Sequence, residues 1–131
     1  MIQPAKDSLD VGMIISDIDR SRHFYESLLG LKFEGTMNVG FCMMYRFLFG
    51  TSRVKLIQPK VLPAPGALGL EKELGFRYIT FYVKNLSELC MDLKEKGVEF
   101  TVKEREIAPG RKIAMVKDPD GNIIEFVQPS L

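Results

Sequence analysis

The segment Leu9–Phe33, LDVGMIISDIDRSRHFYESLLGLKF, is said twice by this chain. It reads as an apolar strand, a capped helix, a glycine stop and a new strand. Arg77–Phe100, RYITFYVKNLSELCMDLKEKGVEF, reads in the same order. Asp17 and Asn85 are N-cap residue types and each directly follows its strand. Glu88 stands three residues after Asn85, a capping-box spacing. In the second helix Leu86, Leu89, Cys90 and Leu93 fall at i, i+3, i+4 and i+7, an apolar stripe. Ile18, Arg22, Tyr25 and Leu29 hold the same phase in the first, with Arg22 a polar interruption. Gly30 and Gly97 stand where left-handed C-caps stand.

The echo extends to the ends of both halves. VKLIQP (Val54 to Pro59) matches IEFVQP (Ile124 to Pro129) almost residue for residue. VGFCMMYRFLFG and RKIAMVKDP, which precede these closing segments, are strand-like. The expected fold class is therefore α+β, two tandem βαβββ modules within a single domain. Module one spans 9–58 and module two 76–129. A connecting loop at 59–75, rich in Pro and Gly, is expected to be ordered and, at this length, functional. EREIAPGRK (Glu104 to Lys112) is mixed in charge and reads as a solvated loop. DPDG (Asp118 to Gly121) is turn chemistry, with Pro at the second position and Gly at the fourth.

A chain of 131 residues buries about two-thirds of its unfolded surface, so it needs no disulfide or metal to fold. Lys plus Arg is 18 and Asp plus Glu is 17, a balance that gives no electrostatic case for nucleic acid or an anionic membrane as partner. No apolar run approaches the ~18 residues that span a bilayer. MIQPAKDSLD lacks the basic-then-apolar layout of a signal peptide. The two cysteines, Cys42 and Cys90, form no CxxC pair. They read as buried free thiols, which suits a reducing cytoplasm.

Period two assigns faces to the strands. Val11, Met13 and Ile15 are expected under the first helix, and Ile79, Phe81 and Val83 under the second. Val54, Leu56, Ile124 and Phe126 take the helix side as well. Asp10, Lys55, Tyr78 and Glu125 then point to the helix-free faces of their sheets, with Thr80 and Tyr82. If the sheets curl toward each other, those four converge in one cup. Glu125 is the pivotal residue, a lone carboxylate among Ile123, Ile124, Phe126 and Val127. A charge so placed needs a partner. Met43, Met44, Tyr45 and Phe47 are candidates for an adaptable pocket wall, although alternate residues of that strand must be core. Arg46 reads either as a holder of an anionic ligand or as an exposed edge-strand charge.

The pattern resembles the vicinal oxygen chelate superfamily, the glyoxalase, bleomycin-resistance and extradiol-dioxygenase group. The carriers are VGMIISDIDRSRHFYESLLGLKF, YITFYVKNLSELCMDLKEKGVEF and especially VKDPDGNIIEFVQP. The resemblance implies paired βαβββ modules whose curved mixed sheets enclose a cup, helices on the outer face, and frequent homodimers. It also implies that metal-dependent members hold a divalent cation with four side chains, from the first and last strand of each module. The usual first ligand is His where this chain has Asp10. The second is Glu, Gln or His where it has Lys55. The third is commonly His where it has Tyr78, and the fourth is Glu, which Glu125 matches. A protonated lysine has no lone pair to donate and repels a cation. The one histidine, His23, lies mid-helix. A two-histidine-one-carboxylate iron site is thus excluded by count, and ring-cleaving dioxygenase chemistry with it.

Three functions compete. In the first, the chain binds a small organic molecule in its cup without the usual metal and without any other cofactor. Lys55 takes the metal's place between Asp10 and Glu125. Asp10, Tyr78, Tyr82, Met43, Tyr45 and Arg46 contact the ligand. The second is a lyase or isomerase in which Glu125 abstracts a proton next to a carbonyl, and Lys55 or a recruited divalent metal steadies the enolate. A buried Lys55 forming a Schiff base is a variant of it. The third is an accessory subunit with a vestigial cup. Glu125 as a solvated rim residue is the bland reading of the site.

Overall fold

The computed structural model describes residues 1–130. The chain divides into two compact units after Ala64. Unit one holds β1 (Val11–Ile14), α1 (Ile18–Arg22) continued by a π-helical turn (His23–Leu28), β2 (Lys32–Asn38), β3 (Cys42–Phe49) and β4 (Ser52–Pro59). Unit two holds β5 (Tyr78–Tyr82), α2 (Leu86–Glu95), β6 (Phe100–Ala108), β7 (Arg111–Lys117) and β8 (Ile123–Gln128). The sheet orders are β1-β4-β3-β2 and β5-β8-β7-β6. In each, the opening strand lies parallel to the closing strand and the other pairs are antiparallel. The fold is α+β, two tandem βαβββ modules.

The helix side of each sheet is core. In module one Ile15, Phe24, Tyr25, Phe47, Val54 and Leu56 are buried. In module two Phe81, Leu86, Leu93, Ala114, Val116, Ile124 and Phe126 are buried. The apolar stripe of α2 runs as its spacing predicts. That of α1 does not, because the helix loosens into a π turn in which Leu29 N–H reaches back to the Phe24 carbonyl at 3.0 Å. Phe24 and Tyr25 are both buried in this turn, whereas Arg22 and Leu29 are only half-buried. Arg22, the polar interruption, donates to Glu26 at 2.7 Å and lies 4.0 Å over the Phe33 ring.

The repeated Gln-Pro has a physical cause. Gln58 Oε1 accepts from Ile18 N–H at 3.0 Å, and Gln128 Oε1 accepts from Leu86 N–H at 2.8 Å. Each closing strand thus supplies an acceptor to the first turn of its own module's helix. Asp17 also caps as expected, accepting from Arg20 N–H at 3.1 Å. Asn85 makes no side-chain cap, and the expected capping box is absent. Replacement of Gln128 by Leu is expected to cost about 1 kcal/mol in urea denaturation, the usual value of a lost N-terminal acceptor. The equivalent change at Asn85 should cost little.

Two further expectations change. Glu104–Ala108, read as loop, forms the outer half of β6, with Pro109 and Gly110 as the turn. β6 is the edge of its sheet and its residues there are mostly exposed, so charge rather than apolar alternation marks it. The Glu104 carboxylate accepts a short hydrogen bond from Ser87, and Lys112 Nζ stands 3.7 Å from it as an ion pair. β3 is an interior strand, so Arg46 is not an edge-strand charge. In the connecting segment Arg77 donates to the carbonyls of Ala67 and Gly69 at 3.1 and 3.2 Å, which ties part of that loop to the start of β5. Cys42 and Cys90 are free and buried, and burial raises the Cys90 thiol to about 11.

Candidate functional site

In module one, strand pairing puts Gly12, Lys55 and Arg46 in one row across β1, β4 and β3 on the helix-free face. Met44 and Ile57 form the next row on the same face. Asp10 sits just ahead of β1. It accepts from Lys6 Nζ at 2.6 Å and from the backbone N–H of Arg53 at 3.0 Å. Lys55 Nζ stands 3.6 Å from its other oxygen. Glu34 accepts from Arg53 Nε at 2.8 Å and lies 3.6 Å from an Arg46 nitrogen. Arg53 holds the Glu34 carboxyl below its ordinary range. The Lys6 hydrogen bond, then the Arg53 N–H, hold Asp10 down to about 2.

Asp10 therefore contributes a stabilisation present above its unfolded value near 4 and lost as pH falls through about 2. An NMR titration is expected to place its midpoint about two units below a free aspartate, and Lys6→Ala should move it upward.

In module two, Glu125 lies between Thr80 of β5 and Met115 of β7 in register. Thr80 Oγ1 donates to Glu125 Oε1 at 2.7 Å. Its neighbours on that face, Ile123, Val127 and Met115, are buried. Glu125 is thus a half-buried, hydrogen-bonded carboxylate in an apolar surround, and not a freely solvated rim residue. Tyr78 and Tyr82 share the face beside Ile123 and Val127, each about half exposed. Arg111 donates to the Tyr82 hydroxyl at 3.2 Å.

The sequence-predicted residues separate as follows. Lys55 joins Asp10, and Arg46 lies directly beside Lys55. Met43 and Tyr45 do not share that face. They pair with Gln58 and Leu56 and take the helix side with Phe47, because β3 alternates from Cys42 onward. Met44 occupies the position expected of them. Lys55 is 32% exposed, so the burial that Schiff-base chemistry asks of a lysine is missing. Lys6, Glu34, Arg53 and Thr80 were not singled out as site residues. Arg53 and Thr80 were accessible to period two, lying two before Lys55 and two after Tyr78. Glu34 was not, because a bulge between Phe33 and Gly35 shifts its strand's register.

At two of the positions where metal-dependent members of the resembled superfamily place ligands, this chain has Asp10 and Lys55, 3.6 Å apart. Lys55 brings a cation of its own, and Asp10 is already engaged by Lys6 and Arg53. Among the described residues no cluster of three or more His, Cys, Asp or Glu stands ready to hold a metal.

A family model described as glyoxalase/bleomycin resistance protein/dioxygenase superfamily matches residues 9–126. The chain belongs to that superfamily. It is 32% identical over 130 aligned positions to protein YqjC of Bacillus subtilis (strain 168), covering 91% of this chain and 89% of that one. It is 26% identical to mitochondrial methylmalonyl-CoA epimerase of Mus musculus, covering 90% of this chain and 70% of that one. TnmS3, an antibiotic binding protein from Streptomyces sp. CB03234, shares the fold at a TM-score of 0.72 and 21% identity, covering 98% of this chain and all of that one. No helix among the described residues is long and apolar enough to cross a membrane.

Proposed function

We propose that this superfamily member binds a small organic molecule at the helix-free faces of its sheets, with Lys55 in place of the divalent metal. The observation that carries the reading is the 3.6 Å approach of Lys55 to Asp10 at two positions where metal-dependent relatives need donors. A cation already occupies the electrostatic role there, and a second one is repelled. TnmS3, an antibiotic binding protein, shares the fold, which is in keeping with a binding role. A ligand-observed NMR screen of flat aromatic and amphipathic compounds tests it. Hits displaced by Lys55→Met, without loss of fold, support binding at this face. Hits indifferent to that change, or none at all, overturn it.

A second reading has its own observation. The Thr80 hydrogen bond aims Glu125 within an apolar surround, the setting of a carboxylate that takes a proton next to a carbonyl. The epimerase relative adds weight to it. Solvent deuterium entering a 2-oxo acid or thioester next to its carbonyl, and ceasing in Glu125→Gln, establishes it. The two buried free thiols support a cytoplasmic setting. Homodimer assembly follows from the family resemblance and is checked by sedimentation equilibrium.

A further inference from the structure

The face of module one around Lys55 carries more positive than negative charge. Lys6, Arg46, Arg53 and Lys55 stand against only Asp10 and Glu34. The two carboxylates are shared unequally. Asp10 is taken by Lys6 at 2.6 Å and the Arg53 N–H at 3.0 Å, and Glu34 by Arg53 Nε at 2.8 Å. Lys55 and Arg46 are each left 3.6 Å from the nearest carboxylate oxygen, beyond a normal hydrogen bond.

Those two cations are also direct cross-strand partners. Like charges directly opposite on one sheet face destabilise it. Arg46 has a second peculiarity: its Nε is buried and has no hydrogen-bond partner among the described residues. A buried donor left unpaired is costly and calls for an explanation. Met44 and Ile57 in the next row supply apolar contact beside the charges.

We propose that Arg46 and Lys55 together hold the carboxylate or phosphate end of an amphipathic organic ligand. A planar guanidinium beside an ammonium suits an oxyanion, because the fork fixes two oxygens while the lysine adds a point charge. The ligand's apolar body lies over Met44 and Ile57. Arg53 positions the pair by engaging Glu34, which otherwise neutralises Arg46. This inference rests on the small-molecule reading above and names the ligand's class.

The test uses the whole protein labelled with nitrogen-15 at low ionic strength, and follows the Arg46 Nε–H resonance. Benzoate, phenyl phosphate, benzamide and inorganic phosphate are titrated separately. Benzoate or phenyl phosphate is expected to move that resonance saturably, with benzamide about ten-fold weaker, as for the loss of one charged hydrogen bond. Lys55→Met and Arg46→Met should each weaken the organic anion by about ten-fold, and Arg46→Lys by less. The relative strength of benzoate and phenyl phosphate separates a carboxylate from a phosphate ligand. Equal binding of benzoate and benzamide overturns the inference and leaves the small-molecule reading standing. Inorganic phosphate binding as tightly as either organic anion overturns the assignment to an amphipathic ligand. No movement of the Arg46 signal with any anion overturns the inference, whereas a failed compound screen overturns the reading beneath it.

Discussion

Phe126→Ala is expected to cost about 3–5 kcal/mol of unfolding free energy, while Glu125→Ala next to it should cost about 1 kcal/mol. The contrast follows from alternation along β8. Phe126 is 1% exposed on the helix side and pairs in register with Phe81 and Ala114. Its ring centroid lies 6.1 Å from that of Phe81. With only an alanine on the β7 side, truncation leaves a void that neighbours cannot fill, and the loss of transfer energy and packing add together. Glu125 faces the other way and gives up one hydrogen bond from Thr80. Urea denaturation of the two variants measures the difference. A Glu125 variant as damaged as the Phe126 variant would place the carboxylate in the structural core.

Asp118→Ala is expected to cost about 3 kcal/mol, because hydrogen bonds to a charged acceptor are each worth about 1.5–3 kcal/mol and partly overlap. Asp118 is 5% exposed. It accepts from the N–H groups of Asp120 and Asn122 at 3.0 and 2.8 Å, and from the Asn122 side chain at 2.9 Å. The Asp118 carbonyl also accepts from Gly121 N–H at 2.9 Å, and Gly121 takes a positive φ of 85°. The turn launches β8 four residues before Glu125. Loss of the carboxylate is therefore expected to speed amide exchange at Ile123 and Ile124 as well as to lower stability. Asp118→Asn keeps one acceptor oxygen and should cost clearly less.

Much of this fold was legible because four strands show one continuously apolar face. The alternation of β1, β4, β5 and β8 put Lys55 and Glu125 on the helix-free faces without reference to a structure. The doubled Gln-Pro was visible but its role was not. Each glutamine caps a helix about forty residues earlier in the chain, a pairing that no local pattern carries. β3 was apolar on both sides, so parity alone could not decide between Met43 and Met44 for the site face. Glu34 was concealed by a bulge, and with it the reason Arg46 is left short of a partner. The charged edge of β6 resembled a loop because edge protection and solvation use the same residues.

Metal content of the purified protein tests the central claim, that Lys55 stands in for the cation. The chain is prepared without tag or chelator, offered zinc, nickel, manganese and iron, and then measured by plasma mass spectrometry. No stoichiometric metal is expected in the wild type. One metal retained per chain, and lost in Glu125→Ala, would contradict it and make metal-assisted glyoxalase-type chemistry the leading function.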